Sequence, residues 1–165
     1  MWACENGHKD IVQLLLDHSK RIELNAKDNY GDTAFMWACE NGHKDVVQLL
    51  LNHSESNIDL NATTNYFRFT AFILACKYGR KDVVKLLLDH SDRIELNAKC
   101  HNLGRTAFMQ ACRHGYKEVV QLLLDFPNSG IEFNARDDNG RTGFMLASMY
   151  GYKDVVQLIK SKLNL

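Results

Sequence analysis

Apolar residues recur along this chain with the spacing of short helices. Between residues 34 and 41, Phe35, Ala38 and Cys39 occupy the i, i+3 and i+4 positions of one helix face. A broader apolar stripe follows over residues 46–51. We therefore predict two consecutive helices, which we call helix A and helix B, with helix A spanning residues 34–41.

Small and polar residues mark the ends of these two helices. Thr33 precedes helix A, and its hydroxyl is suited to accept a backbone N–H as an N-cap. Gly42 follows helix A, where a residue that tolerates positive φ ends the helix. Asp45 then lies in the first turn of helix B, where a negative charge is favourable. The unit is therefore a helix, a turn, a second helix and a hairpin-like loop.

The same unit recurs at a nearly constant period. Three markers recur together: Gly-His-Lys-Asp and its variants from Gly7, Gly42, Gly79, Gly115 and Gly151; Thr-Ala-Phe or Thr-Gly-Phe from Thr33, Thr70, Thr106 and Thr142; and Leu-Asn-Ala or Phe-Asn-Ala from Leu24, Leu60, Leu96 and Phe133. The first marker is spaced by 35, 37, 36 and 36 residues. Because helix pairs this short are marginal alone, we predict that the units stack on one another.

The repeated unit resembles the ankyrin repeat. Thr-Ala-Phe-Met-Trp-Ala-Cys-Glu-Asn-Gly-His-Lys-Asp-Val-Val-Gln-Leu-Leu-Leu, from Thr33 to Leu51, carries the resemblance, which extends over almost the whole chain. The family usually has Thr-Pro-Leu-His at the start of this segment and a period of about 33 residues. The extra residues here follow helix B, as in residues 18–22, where we expect a longer exit loop. The resemblance implies an all-α solenoid of stacked helix-turn-helix units with hairpin-like loops.

We assign residues 1–165 to one ankyrin-repeat domain of about five repeats. The predicted repeats are 1–32, 33–69, 70–105, 106–141 and 142–165. The first is truncated at its start, because Met1 matches Met36 and no threonine cap precedes it. We therefore expect a fragment of a longer array or a trimmed chain. The near-identity of residues 1–16 with 36–51 suits recent duplication and design equally.

Charge is balanced over the whole chain but not along it. Lys plus Arg and Asp plus Glu number 20 each. Residues 1–62 carry 5 basic and 10 acidic side chains, residues 63–117 carry 10 and 4, and residues 118–165 carry 5 and 6. The neutral total disfavours nucleic acid and anionic membranes as partners, and no apolar run is long enough to span a bilayer. We expect a monomer with no membrane segment.

The cysteines are predicted to be structural. Four of them occupy equivalent positions in helix A: Cys4, Cys39, Cys76 and Cys112. Stacked helices lie about 8–10 Å apart, whereas a disulfide needs Cα atoms about 4.4–6.8 Å apart. We interpret these four as reduced core residues and expect a cytoplasmic protein, with the nucleus as the alternative. Cys100, in a hairpin, is expected to be a partly exposed thiol.

No pattern indicates a metal, a cofactor or a catalytic site. The histidines at 18, 53 and 90, and those at 8 and 43, are repeat equivalents. Such side chains form a ladder and do not converge to the about 2.0–2.3 Å that zinc ligands require. No phosphate-binding loop, nucleophile elbow or carboxylate pair stands apart from the repeat. We expect no enzymatic activity, no metal and no cofactor.

The candidate binding residues lie at positions where the repeats differ. The second hairpin, residues 63–69, lacks the glycine of the first and has an aromatic, arginine-containing tip. Such side chains dominate binding hot spots, although inward packing of Phe67 or Phe69 is an equal alternative. By resemblance, the ends of helix A line the groove beside these tips. The predicted partner-binding residues are Tyr66, Phe67, Arg68, Phe69, Lys77, Tyr78, His101, Arg105, Arg113, His114 and Tyr150.

Two further sets of polar residues leave alternatives open. Gln110 either faces the groove or is a satisfied, semi-buried amide. The hairpin asparagines are, by resemblance, structural residues that are sometimes hydroxylated: Asn25, Asn61, Asn97 and Asn134.

The resemblance implies non-catalytic protein recognition by the groove of hairpin tips and helix A ends. Its basic, aromatic middle, residues 65–114, favours an acidic or amphipathic protein or peptide. The alternative is a structural spacer or an engineered scaffold with no natural ligand. Nucleic acid is a weaker reading, because the acidic flanks would repel phosphate.

Overall fold

Within the described residues, ten α-helices form the architecture of this protein, which is seen here in a computed structural model. The structure describes residues 1–18, 22–53, 57–101, 103–126 and 130–164. The helices are α1 Trp2–Glu5, α2 Lys9–Leu16, α3 Ala34–Asn41, α4 Lys44–Asn52, α5 Ala71–Lys77, α6 Lys81–Leu88, α7 Ala107–His114, α8 Lys117–Asp125, α9 Gly143–Met149 and α10 Lys153–Leu163. These ranges contain no β-strand, only a bridge between Lys27 and Thr33. The predicted all-α class is confirmed.

The helix boundaries follow from the capping residues that the sequence repeats. The Thr33 hydroxyl accepts the Met36 N–H at 3.2 Å. Thr70, Thr106 and Thr142 make the same bond at the starts of α5, α7 and α9. Gly42 ends α3 with φ of 79°, in the left-handed region. The prediction of helix A over residues 34–41 is confirmed.

The helices pack into two layers. The odd-numbered helices α1 to α9 stack one on the next, and the even-numbered helices α2 to α10 form the second layer behind them. Equivalent side chains are buried in successive repeats, as Phe35, Phe72 and Phe108 are. Full burial of such a side chain contributes about 1.5–3 kcal/mol. The core is therefore continuous along the stack, and each repeat depends on its neighbours.

Asparagine side chains join the hairpin loops of successive repeats. Asn61 Nδ2 donates to the Arg93 carbonyl at 2.9 Å, and its Oδ1 accepts the Glu95 N–H at 2.9 Å. Asn25 and Asn97 make the same pair of bonds one repeat earlier and later. The structural role predicted for these three asparagines is confirmed. Asn134 is exposed and makes no such bond to any described residue.

The five cysteines all lie in the described ranges, and none of them forms a disulfide. Cys4, Cys39, Cys76 and Cys112 are buried in the first layer, as predicted. The prediction of a partly exposed Cys100 is wrong, because this hairpin residue points inward and its Sγ accepts Gln110 Nε2 at 3.7 Å.

The loop after helix B is only partly described. Residues 19–21 lie outside the described residues, and with them most of the longer exit loop predicted at 18–22. In the third repeat the corresponding residues form a 3₁₀ turn at Ser91–Arg93.

Within the described ranges, no helix combines the length and apolar character needed to cross a membrane.

Candidate functional site

Backbone hydrogen bonds join the tips of neighbouring hairpins. The three bonds run from Asn65 N–H to the Tyr30 carbonyl at 2.9 Å, from His101 N–H to Phe67 at 2.7 Å and from Asp138 N–H to Leu103 at 3.0 Å. Each pair of neighbouring hairpin tips shares one such link. The tips therefore form a continuous edge whose side chains are held at fixed spacing.

The second hairpin has an arginine where the others have glycine. Arg68 stands two residues before its cap Thr70, as Gly31 stands before Thr33. It adopts φ of 51°, a left-handed conformation that costs a non-glycine residue about 1–2 kcal/mol. The conformation places Arg68 outward, in contact with solvent.

The aromatic residues of this hairpin divide between the surface and the core. Tyr66 is 72% exposed, and Phe67 is also exposed. The Phe67 and Phe69 rings stack with centroids 5.4 Å apart, and Phe69 packs against the core. Phe69 therefore packs inward beneath Phe67, whereas Tyr66 and Phe67 stay exposed on the surface.

An aromatic pocket of about 260 Å³ opens between the first two hairpins and the ends of α3 and α5. Its aromatic walls include Tyr30, Trp37, Tyr66 and Tyr78, and the carboxylates of Asp32 and Glu40 also line it. We call it the aromatic pocket below. Of the predicted site residues, Tyr66, Phe67, Phe69, Lys77 and Tyr78 lie at this pocket.

Lys77 places an ammonium group against one wall of the aromatic pocket. Its Nζ lies 4.8 Å from the Phe69 ring centroid and 4.3 Å from that of Tyr78. The ammonium also donates to the Tyr78 hydroxyl at 2.9 Å. Contacts of this kind stabilise a cation by about 0.5–2 kcal/mol. The rings of this pocket are therefore arranged to accept positive charge.

The opposite wall carries carboxylates that lack a cation. Burial and the neighbouring carboxylates of Asp28 and Glu40 raise the pKa of Asp32 to about 6, against a smaller lowering by Lys27. The Lys27 ammonium donates instead to the Thr63 carbonyl at 2.8 Å. Among the described residues, no side chain forms an ion pair with Asp32 or Glu40. The electrostatic repulsion between the carboxylates on this side is therefore only partly offset, by Lys27.

Asp28 is held in its ionised form beneath this wall. Its carboxylate accepts the Trp37 indole N–H at 3.1 Å and the backbone N–H groups of Tyr30 and Asp32 at 2.9 Å each. Burial raises the pKa of Asp28, but these hydrogen bonds outweigh it and the pKa lies below its ordinary value. Asp28 thereby orients the Trp37 ring that faces the pocket.

A basic cluster follows the aromatic pocket along the helix ends. The Arg113 guanidinium lies 5.2 Å from the Tyr150 ring centroid, and its Nη1 is 3.0 Å from Nε2 of His114. Burial, then the positive charges of Arg113, Lys77 and Arg105, lower the pKa of His114. No carboxylate among the described residues pairs with Arg113 or Lys77. This end of the groove is positively charged.

Arg105 was predicted to bind a partner, but it does not lie on the surface. The side chain is buried, and its Nε lies 3.2 Å from Asp137 Oδ2. Asp137 also accepts the N–H groups of Asn139 and Arg141, so the pair joins the third hairpin to the fourth. His101, by contrast, is exposed at the third tip.

Gln110 is buried rather than facing the groove. Its Nε2 donates to Cys100, but its Oε1 has no hydrogen-bond partner within the described part of the chain. The interpretation as a fully satisfied amide is therefore half correct.

Sequence reasoning missed the acidic and aromatic residues of the first hairpin and α3. Trp37 and Glu40 are not among the predicted partner-binding residues, although their i, i+3 spacing puts them on one helix face. No sequence pattern indicated that Asp32 lines a pocket, because its neighbours Asp28 and Glu40 are brought close only by the turn.

Within the described residues, no three His, Cys, Asp or Glu side chains converge as a metal ion requires.

Comparison with known families identifies the repeat. The family model described as Ankyrin repeats (3 copies) matches residues 1–64, 55–137 and 94–164. These matches together extend over nearly the whole chain. A search of curated proteins finds no match.

Proposed function

Because the chain belongs to the ankyrin-repeat family, we propose that it is a non-catalytic protein-interaction module that binds its partner through the groove. By the groove we mean the hairpin tips and the exposed ends of α3, α5, α7 and α9. Ankyrin repeats generally mediate protein–protein interaction. The observation that carries the proposal is the row of exposed aromatic side chains on a hydrogen-bonded edge.

Exposed aromatic residues on a rigid support favour recognition over a purely structural role. Tyr30 is 67% exposed and lies beside Tyr66, and the two tips are joined by the Asn65–Tyr30 hydrogen bond. Preorganised side chains lose little conformational entropy on binding, and aromatic anchors contribute most to affinity. A spacer or an engineered scaffold with no ligand would have no need of them.

The basic half of the groove favours an acidic or amphipathic protein or peptide. Lys77, Arg113 and His114 lie at successive helix ends, and residues 63–117 carry 10 basic and 4 acidic side chains. Complementary charge would steer such a partner and fix its register. Contacts would involve Arg68, His101 and Tyr150 besides these residues, whereas buried Arg105 would act only through the fold.

The remaining features of the proposal concern the chain as a whole. We propose that the repeats at 1–32, 33–69, 70–105, 106–141 and 142–165 act as one monomeric domain. Five cysteines without a disulfide favour a reducing compartment, the cytoplasm or the nucleus.

Affinity capture with matched variants tests the proposed function. The groove variant changes Tyr66, Phe67 and Arg68 to Ala. The control variant changes to Ala three exposed residues of the second layer: Lys81 and Lys85 on α6, and Asp89 directly after it. We expect proteins captured by the wild-type chain to be captured by the control variant and lost from the groove variant. Equal capture by all three chains, with equal melting temperatures, would disprove groove recognition.

A further inference from the structure

We infer that the aromatic pocket receives a lysine or arginine side chain of the partner. The inference rests on the proposed function and adds a basic contact to a partner that is acidic or amphipathic elsewhere. The partner would then place a cationic residue at the first two hairpins and its acidic residues toward Arg113 and His114.

The shape and lining of the pocket suit a single long side chain. About 260 Å³ of space lies between the indole of Trp37, the rings of Tyr30 and Tyr66, and the helix ends. Aromatic faces attract cations through their ring quadrupoles, and indole does so most strongly. The methylene stem of a lysine or arginine would contact the rings while its charged end reaches the carboxylates.

The carboxylates distinguish a cationic occupant from an apolar one. Asp32 and Glu40 line the same pocket and have no ion-pair partner among the described residues. An apolar side chain would bury these groups without compensating their charge, which is costly. An incoming ammonium or guanidinium group would form charge-assisted hydrogen bonds with them.

The chain itself already shows one ammonium held by this lining. Lys77 Nζ lies over the Phe69 and Tyr78 rings on the α5 side of the pocket. It forms no ion pair with Glu40. The α3 side, with Trp37, Asp32 and Glu40, therefore remains open to a second cation, and Lys77 excludes that cation from its own side.

A cationic occupant would couple binding to the ionisation of Asp32. The groups that face Asp32 are the carboxylates of Asp28 and Glu40, the Lys27 ammonium and, across the pocket, Lys77. A bound cation favours the ionised carboxylate and so lowers the pKa of Asp32 from about 6. Affinity for the cation must then rise as the pH rises through 6, with release of a proton.

The two tryptophans make a direct test possible. Trp37 lines the pocket, whereas Trp2 is 63% exposed on the preceding helix α1, lies 4.9 Å from the His8 ring and is not among the pocket residues. Their indole N–H signals are separate peaks in a two-dimensional ¹⁵N–¹H NMR spectrum, so Trp2 serves as an internal control. The probes are N-acetyl-lysine methylamide, its arginine counterpart and the uncharged N-acetyl-norleucine methylamide, each titrated at constant ionic strength.

We expect the lysine or the arginine probe to shift the Trp37 indole signal saturably and to leave Trp2 unchanged, with a weaker effect at pH 5 than at pH 7. The norleucine probe should have little effect. Substituting Asp32→Asn together with Glu40→Gln should weaken cation binding at least tenfold, whereas Glu5→Gln, at the repeat position equivalent to Glu40, should not. Neither of the two acidic side chains makes a hydrogen bond or ion pair with another described residue, and their backbone hydrogen bonds are kept in this variant.

Three results would overturn the inference. They are no saturable Trp37 shift with either cationic probe, an equal shift with norleucine, and an equal shift of both tryptophans. Each of these concerns the pocket alone. Capture by the wild-type chain that is lost in the groove variant would still support the proposed function, so the two failures are distinguishable.

Discussion

Arg105 Nε lies 3.2 Å from Asp137 Oδ2, and the two residues are only 5% and 4% exposed. Arg105 stands one residue before the cap Thr106, at the repeat position that Asp32 occupies before Thr33. The same position thus lines a pocket in one repeat and joins two hairpins in another. The charge of a residue at a variable position does not by itself show whether the residue faces a partner.

Removing Arg105 should destabilise the chain without removing a partner contact. Arg105→Ala leaves Asp137 buried and unpaired, which we expect to lower the free energy of unfolding by about 3 kcal/mol. Arg93→Ala, at an exposed arginine, should change it by less than about 0.5 kcal/mol. Urea denaturation followed by circular dichroism measures both. A loss no larger than that of Arg93→Ala would show that the pair contributes nothing to folding.

The same pair should make stability depend on acid. Burial raises the pKa of Asp137, but hydrogen bonds from Arg141, Arg105 and Asn139 outweigh it, so the pKa lies below its ordinary value. A carboxyl with a depressed folded-state pKa stabilises above its unfolded pKa of about 3.9, and loses this as the pH falls further. The stability difference between the wild-type chain and Asp137→Asn should therefore be largest near neutral pH and shrink below pH 4. A difference that is constant with pH would contradict this.

The asparagine links offer a matched pair of substitutions. Asn97 bonds to the Gly130 carbonyl and the Glu132 N–H, whereas Asn134 has neither kind of bond among the described residues. Asn97→Ala should lower the free energy of unfolding by about 1–3 kcal/mol. Asn134→Ala should change it by no more than about 0.5 kcal/mol. Equal effects, measured by thermal and urea denaturation, would disprove a role for the link between repeats.

Arg68 combines backbone strain with a predicted partner contact. Glycine tolerates φ of 51°, so Arg68→Gly should raise the free energy of unfolding by up to about 1 kcal/mol while weakening partner binding. In urea denaturation and binding measurements, Arg68→Gly should have a higher unfolding midpoint and a lower affinity for the partner than the wild-type chain. Lower stability together with retained affinity would mean that the Arg68 side chain packs against the fold.

Local features of the fold were predictable from sequence. A threonine before an apolar helix face and a glycine after it act within one turn, so Thr33 and Gly42 identify α3 without knowledge of the rest of the chain. Their recurrence then predicts the stack, because a helix pair with one apolar side must be covered by another. The buried helix A cysteines follow from the same periodicity.

Contacts between repeats were not predictable in the same way. The Arg105–Asp137 pair joins residues in different hairpins, and neither position has the same residue type in every repeat. Cys100 was misjudged because a hairpin residue can point either way, and only the packing of Gln110 against it decides. The aromatic pocket likewise combines Asp32 of the first repeat and Trp37 of the second with Tyr66 and Tyr78 from the following loop and helix.

Titration calorimetry on one selected ligand tests the central claim, recognition through the groove, most directly. The ligand is a peptide selected against the wild-type chain from a random displayed library. It is titrated into the wild-type chain, the groove variant with Tyr66, Phe67 and Arg68 changed to Ala, and the α6 control variant, with thermal melts of all three. We predict that the groove variant loses about 2 kcal/mol or more of binding free energy, on the order of 30-fold in Kd, and melts as the wild type does. Unchanged affinity in the groove variant, or loss of affinity in the α6 variant instead, would contradict the account.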